Sequence, residues 1–177
     1  SLSKMFDPEF ITAVTRKPAV YRGMPFIVEA GLAYGKPIEE FRVYRFANRV
    51  PLLYRSGECA ITYAIREIDW RKYGLNGKKG ETPTEPLIIM VHVASVWLPF
   101  TSESKEAIAP YPEIVKEIKL ALKDALRDLA IYIKKKESLT YIGDKYKNLY
   151  GYGIELATRL AKILNISEEE VKNRIIN

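Results

Sequence analysis

The stretch LIIMVHVASVWLPFTSESKEAIA, residues 87–109, indicates the fold more clearly than any other part of the chain. Its first ten residues are mostly apolar and β-branched, and they are too few for a membrane-spanning helix. A continuous apolar run is typical of a central strand that is buried on both faces. Pro99 should end this strand, and the hydroxyl groups after it suit a turn or a cap, so we expect a helix to begin between Glu103 and Ala109.

The polar loop after this strand carries a single lysine, Lys105. A lysine at the corner between a strand and a helix projects from a rigid base, and its ammonium group is a point charge that suits a phosphate oxygen. Loops at strand ends are usually ordinary surface, however. Spacing alone therefore favours the simpler interpretation that Lys105 is one of many solvated lysines.

The composition fits one globular domain with a tail. The 177 residues are 47% hydrophobic and 28% charged, which is ample for a sizeable core. The single cysteine, Cys59, excludes an internal disulfide and a cysteine-rich metal site, and we expect it to be a small core residue in a reducing compartment. No apolar signal region and no run of about 18 apolar residues is found, so we expect a cytoplasmic protein.

The charge balance is basic. The chain has 28 Lys plus Arg against 22 Asp plus Glu, a net charge of +6 and a pI near 9.2. This excess favours polyanionic partners without proving any contact.

Patterns before the central strand predict a connector, two strands and a helix. The Asp7-Pro8-Glu9 signal predicts that residues 1–22 form a helical connector. Alternation over residues 26–34 and a second apolar stretch over residues 41–49 predict an antiparallel pair of strands. A helical face that ends near Trp70 is predicted by the spacing of Ile61, Ala64, Ile65 and Ile68.

Patterns after the central strand predict helices. Residues 112–136 should form an amphipathic helix of roughly 35 Å, with a buried row of Ile114, Ile118, Leu122, Ala125, Leu129 and Ile133. Residues 137–152 are polar and rich in tyrosine, which indicates a hinge before a short helix at 154–164 and a last helix capped by Ser167 and Glu170. We therefore expect a core at 23–110, a stalk helix at 111–136 and a small helical extension at 137–177.

Several kinds of chemistry are not supported by the residues. Gly77-Lys78 lacks the spacing of a phosphate loop. His92 lies in the apolar strand and is better explained as a satisfied core residue than as a ligand, so we expect no metal site. No tyrosine among the twelve has the acidic metal cluster that a DNA-cleaving nucleophile needs, because Asp124 and Asp128 suit a solvated helix face.

Three separated motifs occur in an order that matches a known family. They are RFANRVPL at 45–52, IDWRKYG at 68–74 and TSESKEAIA at 101–109. Together they resemble the transducer domain in the B subunit of archaeal type IIB DNA topoisomerase VI, over roughly residues 4–136. The resemblance implies an α+β fold, a GHKL-ATPase transducer domain of the βαβ type seen in the second domain of ribosomal protein S5, with a long protruding C-terminal helix and a small helical tail.

The resemblance also implies a function. In this family the domain couples ATP binding and hydrolysis in an adjacent GHKL domain to the topoisomerase VI A subunit, for ATP-dependent double-strand passage in an A2B2 heterotetramer. Lys105 stands at the position of the switch lysine that contacts the ATP γ-phosphate. In this family the ATPase domain provides most of the binding site for ATP and Mg, and its motifs are not found here. This chain therefore resembles a fragment or a detached domain. We expect that it alone neither hydrolyses ATP nor cleaves DNA.

A second implied site concerns DNA. Residues Trp70, Arg71, Lys72 and Tyr73 resemble the tryptophan-lysine-x-tyrosine loop of the family, with arginine at the usual lysine position, and Lys78 and Lys79 extend the charge. Alternatively, Trp70 and Tyr73 cap the core while the two cations are solvated. A stand-alone protein-interaction module without a motor role is the rival function. A pure nucleic-acid binder is third, because the basic residues are dispersed.

Overall fold

The computed structural model describes residues 7–164, without the side chains of residues 160, 163 and 164, and it has an α+β fold. Within these residues one mixed sheet contains β1 (Phe10–Thr15), β2 (Ala19–Tyr21), β3 (Met24–Tyr34), β4 (Arg42–Ala47), β5 (Val50–Pro51) and β6 (Leu87–Ser95). The helices are α1 (Ala60–Arg66) and α2 (Pro112–Leu164), and α1 is flanked by 3₁₀ turns at Ser56–Glu58 and Trp70–Tyr73. The predicted fold class is confirmed.

Strand β6 lies at the centre of the sheet, whose order is β1-β3-β6-β4-β5, with β2 paired to β3. It runs antiparallel to β3 and parallel to β4. Ile89, Val91 and Val93 have no exposed surface and belong to the main core, whereas Ile88 is buried in a smaller cluster on the opposite face. The predicted central position is therefore confirmed, but burial on both faces holds only near the amino end, because Met90, His92 and Ala94 on the second face are partly exposed.

Helix α1 and the part of α2 up to Ile133 pack on one face of this sheet. α1 buries Ile61, Ala64 and Ile65, and its N-cap residue Cys59 is also fully buried. The first turns of α2 contribute the whole predicted row, since the following residues are all buried: Ile114, Ile118, Leu122, Ala125, Leu129 and Ile133. Because each large apolar side chain contributes about 1.5–3 kcal/mol when buried, this row fixes the part of α2 up to Ile133 to the sheet.

The predicted helical connector is wrong for its described part. Residues 10–15 form strand β1, which pairs in full register with β3 from Phe10↔Tyr34 to Thr15↔Glu29, and β2 follows it. The side chains alternate between half-buried and exposed, and Phe10 and Val14 pack on the core. The long β3 offers hydrogen-bond partners for the entire segment, and this distant pairing outweighs the local helix-start signal.

The predicted antiparallel pair of β3 and β4 is also wrong. β6 lies between the two strands and bonds to both of them. A connection that includes Gly35 and Ile38 joins β3 to β4, and the Ile38 side chain is buried. β6 is the most apolar strand, and its central position gives it a hydrogen-bonded strand on each side, which a direct hairpin of β3 and β4 would exclude.

The helix expected between Glu103 and Ala109 begins later, at Pro112. Residues 101–107 form a closed loop whose ends meet in a bridge between Phe100 and Ile108. Pro110 and Pro112 disfavour helical backbone in the residues before them, so the helix starts at the second proline.

α2 continues without a break through residues 137–152, where a hinge was predicted. Contacts divide the chain into two units, one up to Ile133 and one from Lys134, so the two parts of α2 are described separately. In the second unit Ser138, Thr140 and Thr158 donate to backbone carbonyls four residues earlier, as helical hydroxyls do. Three glycines weaken this helix but do not end it. The predicted last helix at Ser167 lies outside the described residues.

Among residues 7–164, no helix combines the length and the apolar character needed to cross a membrane.

Candidate functional sites

The loop that carries Lys105 is fastened at its base. Thr101 N donates to the carbonyl of Ala107 at 2.9 Å, and Ala109 N donates to that of Pro99 at 2.9 Å, around the Phe100↔Ile108 bridge. Ala107 and Ile108 have no exposed surface. The loop therefore rises from two buried residues and a short antiparallel ladder, which is a rigid base for an exposed side chain.

The base of the loop is also joined to α1. Ala60 N, the first amide of α1, donates to the carbonyl of Ile108 at 2.8 Å. One amide at the helix start is thus satisfied by the loop instead of by a side-chain cap, and α1 and the loop are positioned as one piece.

Lys105 itself occupies a tight turn. Its φ is +55°, and its backbone N donates to the carbonyl of Ser102 at 3.1 Å. The hydroxyl groups of Ser102 and Ser104 lie 2.8 Å apart beside it. The Lys105 side chain is exposed and makes no ion pair within residues 7–164. A free ammonium on a fixed turn is available to an external anion.

An ion pair that the sequence did not predict lies beside Lys105. Arg55 Nε lies 3.4 Å from Oε2 of Glu106, the residue that follows Lys105. Arg55 also adopts left-handed backbone, with φ of +49°. No local signal could have predicted this contact, because the two residues come from distant segments of the sequence.

Trp70 anchors the second candidate site from inside the core. The indole has no exposed surface, and its Nε1 donates to the carbonyl of Glu81 at 2.9 Å. Phe41 meets it edge-on, with ring centroids 6.0 Å apart. Trp70 thus cannot itself touch DNA in this conformation, which corrects that part of the prediction and supports the interpretation in which it holds the loop.

The rest of the 3₁₀ turn presents two cations. Arg71 and Lys72 are exposed, and Arg71 Nε lies 3.4 Å from a carboxylate oxygen of Asp69. Tyr73 is half-buried against the core, and burial raises the pKa of its hydroxyl. Gly74 ends the turn with φ of +78°. The alternative in which aromatic residues face inward and cations face solvent therefore describes the geometry.

Lys78 and Lys79 lie on the ordered loop that follows. Gly80 N donates to the carbonyl of Arg66 at the end of α1 at 2.8 Å, and Lys78 N donates to a carboxylate oxygen of Glu81 at 2.9 Å. Both lysine side chains are exposed. The structure thus brings Lys78 and Lys79 onto the same loop system as Trp70, as the prediction of an extended patch requires.

Two lysines of α2, Lys119 and Lys123, act on Glu67 together with Lys79, and no sequence pattern assigned them to this site. Lys119 donates to Glu67, and this hydrogen bond lowers the pKa of Glu67, with the charges of Lys79 and Lys123 adding to the effect. Lys119 and Glu67 are 52 residues apart in the sequence. A helix face of mixed charge therefore supplies cations beside the Lys79 loop.

The two candidate sites lie at opposite ends of β6. The Lys105 loop follows its carboxyl end, where α2 begins and Tyr111 packs on Tyr21 with centroids 4.6 Å apart. The Trp70 turn lies at the amino end, where a Cβ added to Gly74 would contact Ile133 at 3.4 Å. The nine residues of β6 span roughly 30 Å between these ends.

His92 is a satisfied residue, as predicted, although it is only partly buried. Its Nδ1 lies 2.7 Å from Oε2 of Glu29, and its Nε2 accepts from the backbone N of Arg49 at 3.0 Å. An acceptor role for Nε2 places the proton on Nδ1. Both ring nitrogens are thereby engaged, Nε2 with the β4–β5 turn and Nδ1 with Glu29 on β3.

Comparison with known proteins agrees with this architecture. The family model described as topoisomerase VI B subunit, transducer, matches residues 1–145. The type 2 DNA topoisomerase 6 B subunit of Methanosarcina barkeri is 47% identical over 166 residues, which are 92% of this chain and 27% of the relative. The B subunit of Pyrococcus horikoshii is 44% identical over 172 residues, 97% of this chain and 30% of the relative. That of Archaeoglobus fulgidus is 49% identical over 138 residues, 77% of this chain and 23% of the relative.

Among solved structures, the B subunit of DNA gyrase from Myxococcus xanthus matches 72% of this chain and 41% of its own, at 18% identity and a TM-score of 0.47. The family model matched over residues 1–145 defines the class, a topoisomerase transducer domain. The chain belongs to the topoisomerase VI B subunit transducer family. It spans about a quarter of the length of the curated relatives it matches.

Proposed function

We propose that this chain couples ATP binding and hydrolysis in an adjacent GHKL ATPase domain to the A subunit of a topoisomerase VI, for ATP-dependent double-strand passage and relaxation of supercoiled DNA. The observation that carries the proposal is the free Lys105 ammonium on a fastened turn. A fixed ammonium interacts more strongly with ATP than with ADP, because the γ-phosphate adds charge. Bound nucleotide then selects one of two orientations of the domains.

ATP and Mg would be bound mainly by the adjacent domain. Lys105 supplies one charge to the terminal phosphate and fits that role, since its side chain is exposed and unpaired within residues 7–164. The chain alone is then expected neither to hydrolyse ATP nor to cleave DNA.

Transmission through the domain would follow its rigid parts. β6 and the part of α2 up to Ile133 join the Lys105 end of the sheet to the Trp70 end, and both are packed into one continuous core. Close-packed cores move as bodies instead of deforming gradually. A rotation set at the nucleotide end would therefore displace the Trp70 end.

DNA contact is proposed for Arg71 and Lys72, with Lys78 and Lys79 as an extension. All four side chains are exposed, and the turn that bears the first two is anchored by Trp70. Contacts of this kind would go to phosphates and would not depend on base sequence. They suit the proposed passage of duplexes of any sequence.

The topoisomerase VI A subunit is the proposed protein partner, in an A2B2 assembly. Its docking on α2 from Lys134 onward is supported by large apolar and aromatic side chains that are mostly exposed there: Leu139, Tyr141, Tyr146, Leu149, Tyr150 and Tyr152. Exposed aromatic groups on a helix are typical of protein interfaces. The same observation favours the second candidate function, a protein-interaction module without a motor role.

A DNA relaxation assay distinguishes the ATP-coupled transducer from the interaction module without a motor role. A topoisomerase VI B subunit that carries this segment, assembled with its cognate A subunit, should relax supercoiled DNA only with ATP, and Lys105→Ala should reduce the rate at least tenfold. Lys17→Ala removes an exposed lysine elsewhere and is the control. If Lys105→Ala relaxes DNA at the unchanged rate, the proposed transducer function is contradicted and the interaction module is favoured.

A further inference from the structure

We propose that Arg55 is a positioning residue that keeps Lys105 free for nucleotide by occupying the carboxylate of Glu106. The inference rests on the proposed role of Lys105. It assigns a function to a contact that joins two loops, the segment before α1 and the loop after β6.

The contacts of Arg55 go to carboxylates on both sides. Its Nε lies 3.4 Å from Glu106 Oε2, and its Nη1 lies 3.9 Å from Glu58 Oε2. The Glu106 side chain is 31% exposed, against 53% for Arg55. The Glu106 carboxylate is therefore directed toward Arg55 and is the less exposed partner of the pair.

The backbone gives a second reason to assign a role to Arg55. Its φ of +49° lies in the left-handed region, which disfavours side chains with a Cβ, and glycine would adopt it without that cost. Lys105 has the same property, with φ of +55°. Non-glycine residues at such positions are enriched where the side chain serves a function.

The competition that Arg55 prevents is local. Glu106 is the residue after Lys105, so a released carboxylate lies within reach of the ammonium. A Lys105 that spends part of its time paired with Glu106 binds an external phosphate with an apparent affinity reduced by that fraction. Exposed ion pairs are weak, and the expected loss is therefore about two- to fivefold.

The test uses the assembled enzyme described above and measures ATP hydrolysis as a function of ATP concentration. Arg55→Ala should raise the apparent KM for ATP about two- to fivefold with little change in kcat, because only the availability of Lys105 changes. Glu106→Gln alone should have no such effect. The double variant Arg55→Ala/Glu106→Gln should restore the KM, since the competing charge is gone.

A purely structural role of the ion pair predicts a different pattern. If the pair only pins the loop, Glu106→Gln should impair the enzyme as much as Arg55→Ala, and the double variant should stay impaired. Either result would overturn the inference, as would an unchanged KM in Arg55→Ala.

The neighbouring Glu103 provides a matched control. It is exposed and makes no ion pair within residues 7–164, so Arg55→Ala/Glu103→Gln should keep the raised KM. Restoration by Glu103→Gln would contradict the assignment to Glu106. Indifference of the enzyme to Lys105→Ala would overturn the proposed function as well, whereas a Lys105-dependent enzyme that is indifferent to Arg55 overturns this inference alone.

Discussion

The indole Nε1 of Trp70 donates a hydrogen bond to the backbone carbonyl of Glu81 at 2.9 Å, and this contact ties the start of a 3₁₀ turn to the loop that leads into the central strand. The tryptophan is fully buried, and the cations beside it are exposed. The aromatic residue therefore determines where the charges lie, and it does so from within the core.

The packing around Trp70 requires a glycine at position 77. Gly77 has φ of +124°, and an added Cβ would lie 3.2 Å from Trp70 Cδ1. Gly77→Ala should therefore lower the free energy of unfolding by about 1–3 kcal/mol. Urea denaturation measures this loss.

Substitutions at two other glycines, Gly80 and Gly57, distinguish the cost of backbone strain from the cost of the contact with Trp70. Gly80 has φ of +93° with open space around it, so Gly80→Ala should cost about 1–2 kcal/mol from the backbone alone. Gly57 has neither feature, and Gly57→Ala should change stability by less than about 0.5 kcal/mol. Equal losses at positions 57 and 77 would contradict the explanation.

Part of this arrangement was predictable from the sequence. The apolar run of β6 indicated the central strand, and the 3.6-residue spacing of the α2 row indicated which of its residues are buried, because both patterns are local. β1 was missed, because its partner β3 lies later in the chain and pairing, not propensity, determines its structure.

The sites show the same division. Lys105 and the cations after Trp70 could be found from short motifs, whereas their neighbours could not. Lys119 and Glu67 are 52 residues apart in the sequence, and both α1 and β6 lie between Arg55 and Glu106 in the sequence. Such contacts exist only once the sheet has brought the segments together.

DNA binding should depend on the cations of the 3₁₀ turn. If Arg71 and Lys72 each neutralise one phosphate, Arg71→Ala and Lys72→Ala should each reduce the slope of log K against log salt by roughly 0.9 on duplex DNA. The affinity should fall equally for unrelated sequences, because phosphates carry no base identity. Fluorescence anisotropy of the assembled enzyme with two unrelated duplexes at several salt concentrations measures both quantities.

Lys17→Ala removes a lysine that is also exposed but lies between β1 and β2, and it should leave the slope unchanged. A slope that stays the same in Arg71→Ala would rule out a phosphate contact there.

The ion pair between Glu67 and Lys119 should make stability depend on pH. The hydrogen bond from Lys119 lowers the pKa of Glu67 below its ordinary value of 4.5, so the folded state favours the carboxylate. The stabilisation is present above that ordinary value and is lost as the pH falls through the lowered pKa. Glu67→Gln should therefore destabilise the chain at pH 7, by no more than about 1 kcal/mol for so exposed a pair, and should have less effect near pH 3.

Denaturation in urea at both pH values tests this expectation. Glu39→Gln is the control, since Glu39 is exposed and makes no ion pair in the described part of the chain. A loss in Glu67→Gln that is the same at both pH values would contradict the role of the carboxylate charge.

The central claim is that Lys105 reports the state of the nucleotide to this domain, and the most direct measurement is the distance between the two domains. One dye is attached at Lys17→Cys and the other on the ATPase domain of the assembled enzyme, and energy transfer is compared with a non-hydrolysable ATP analogue and with ADP. The two nucleotides should give different transfer efficiencies in the native segment and the same efficiency in Lys105→Ala. A difference between the nucleotides that persists in Lys105→Ala would contradict the account.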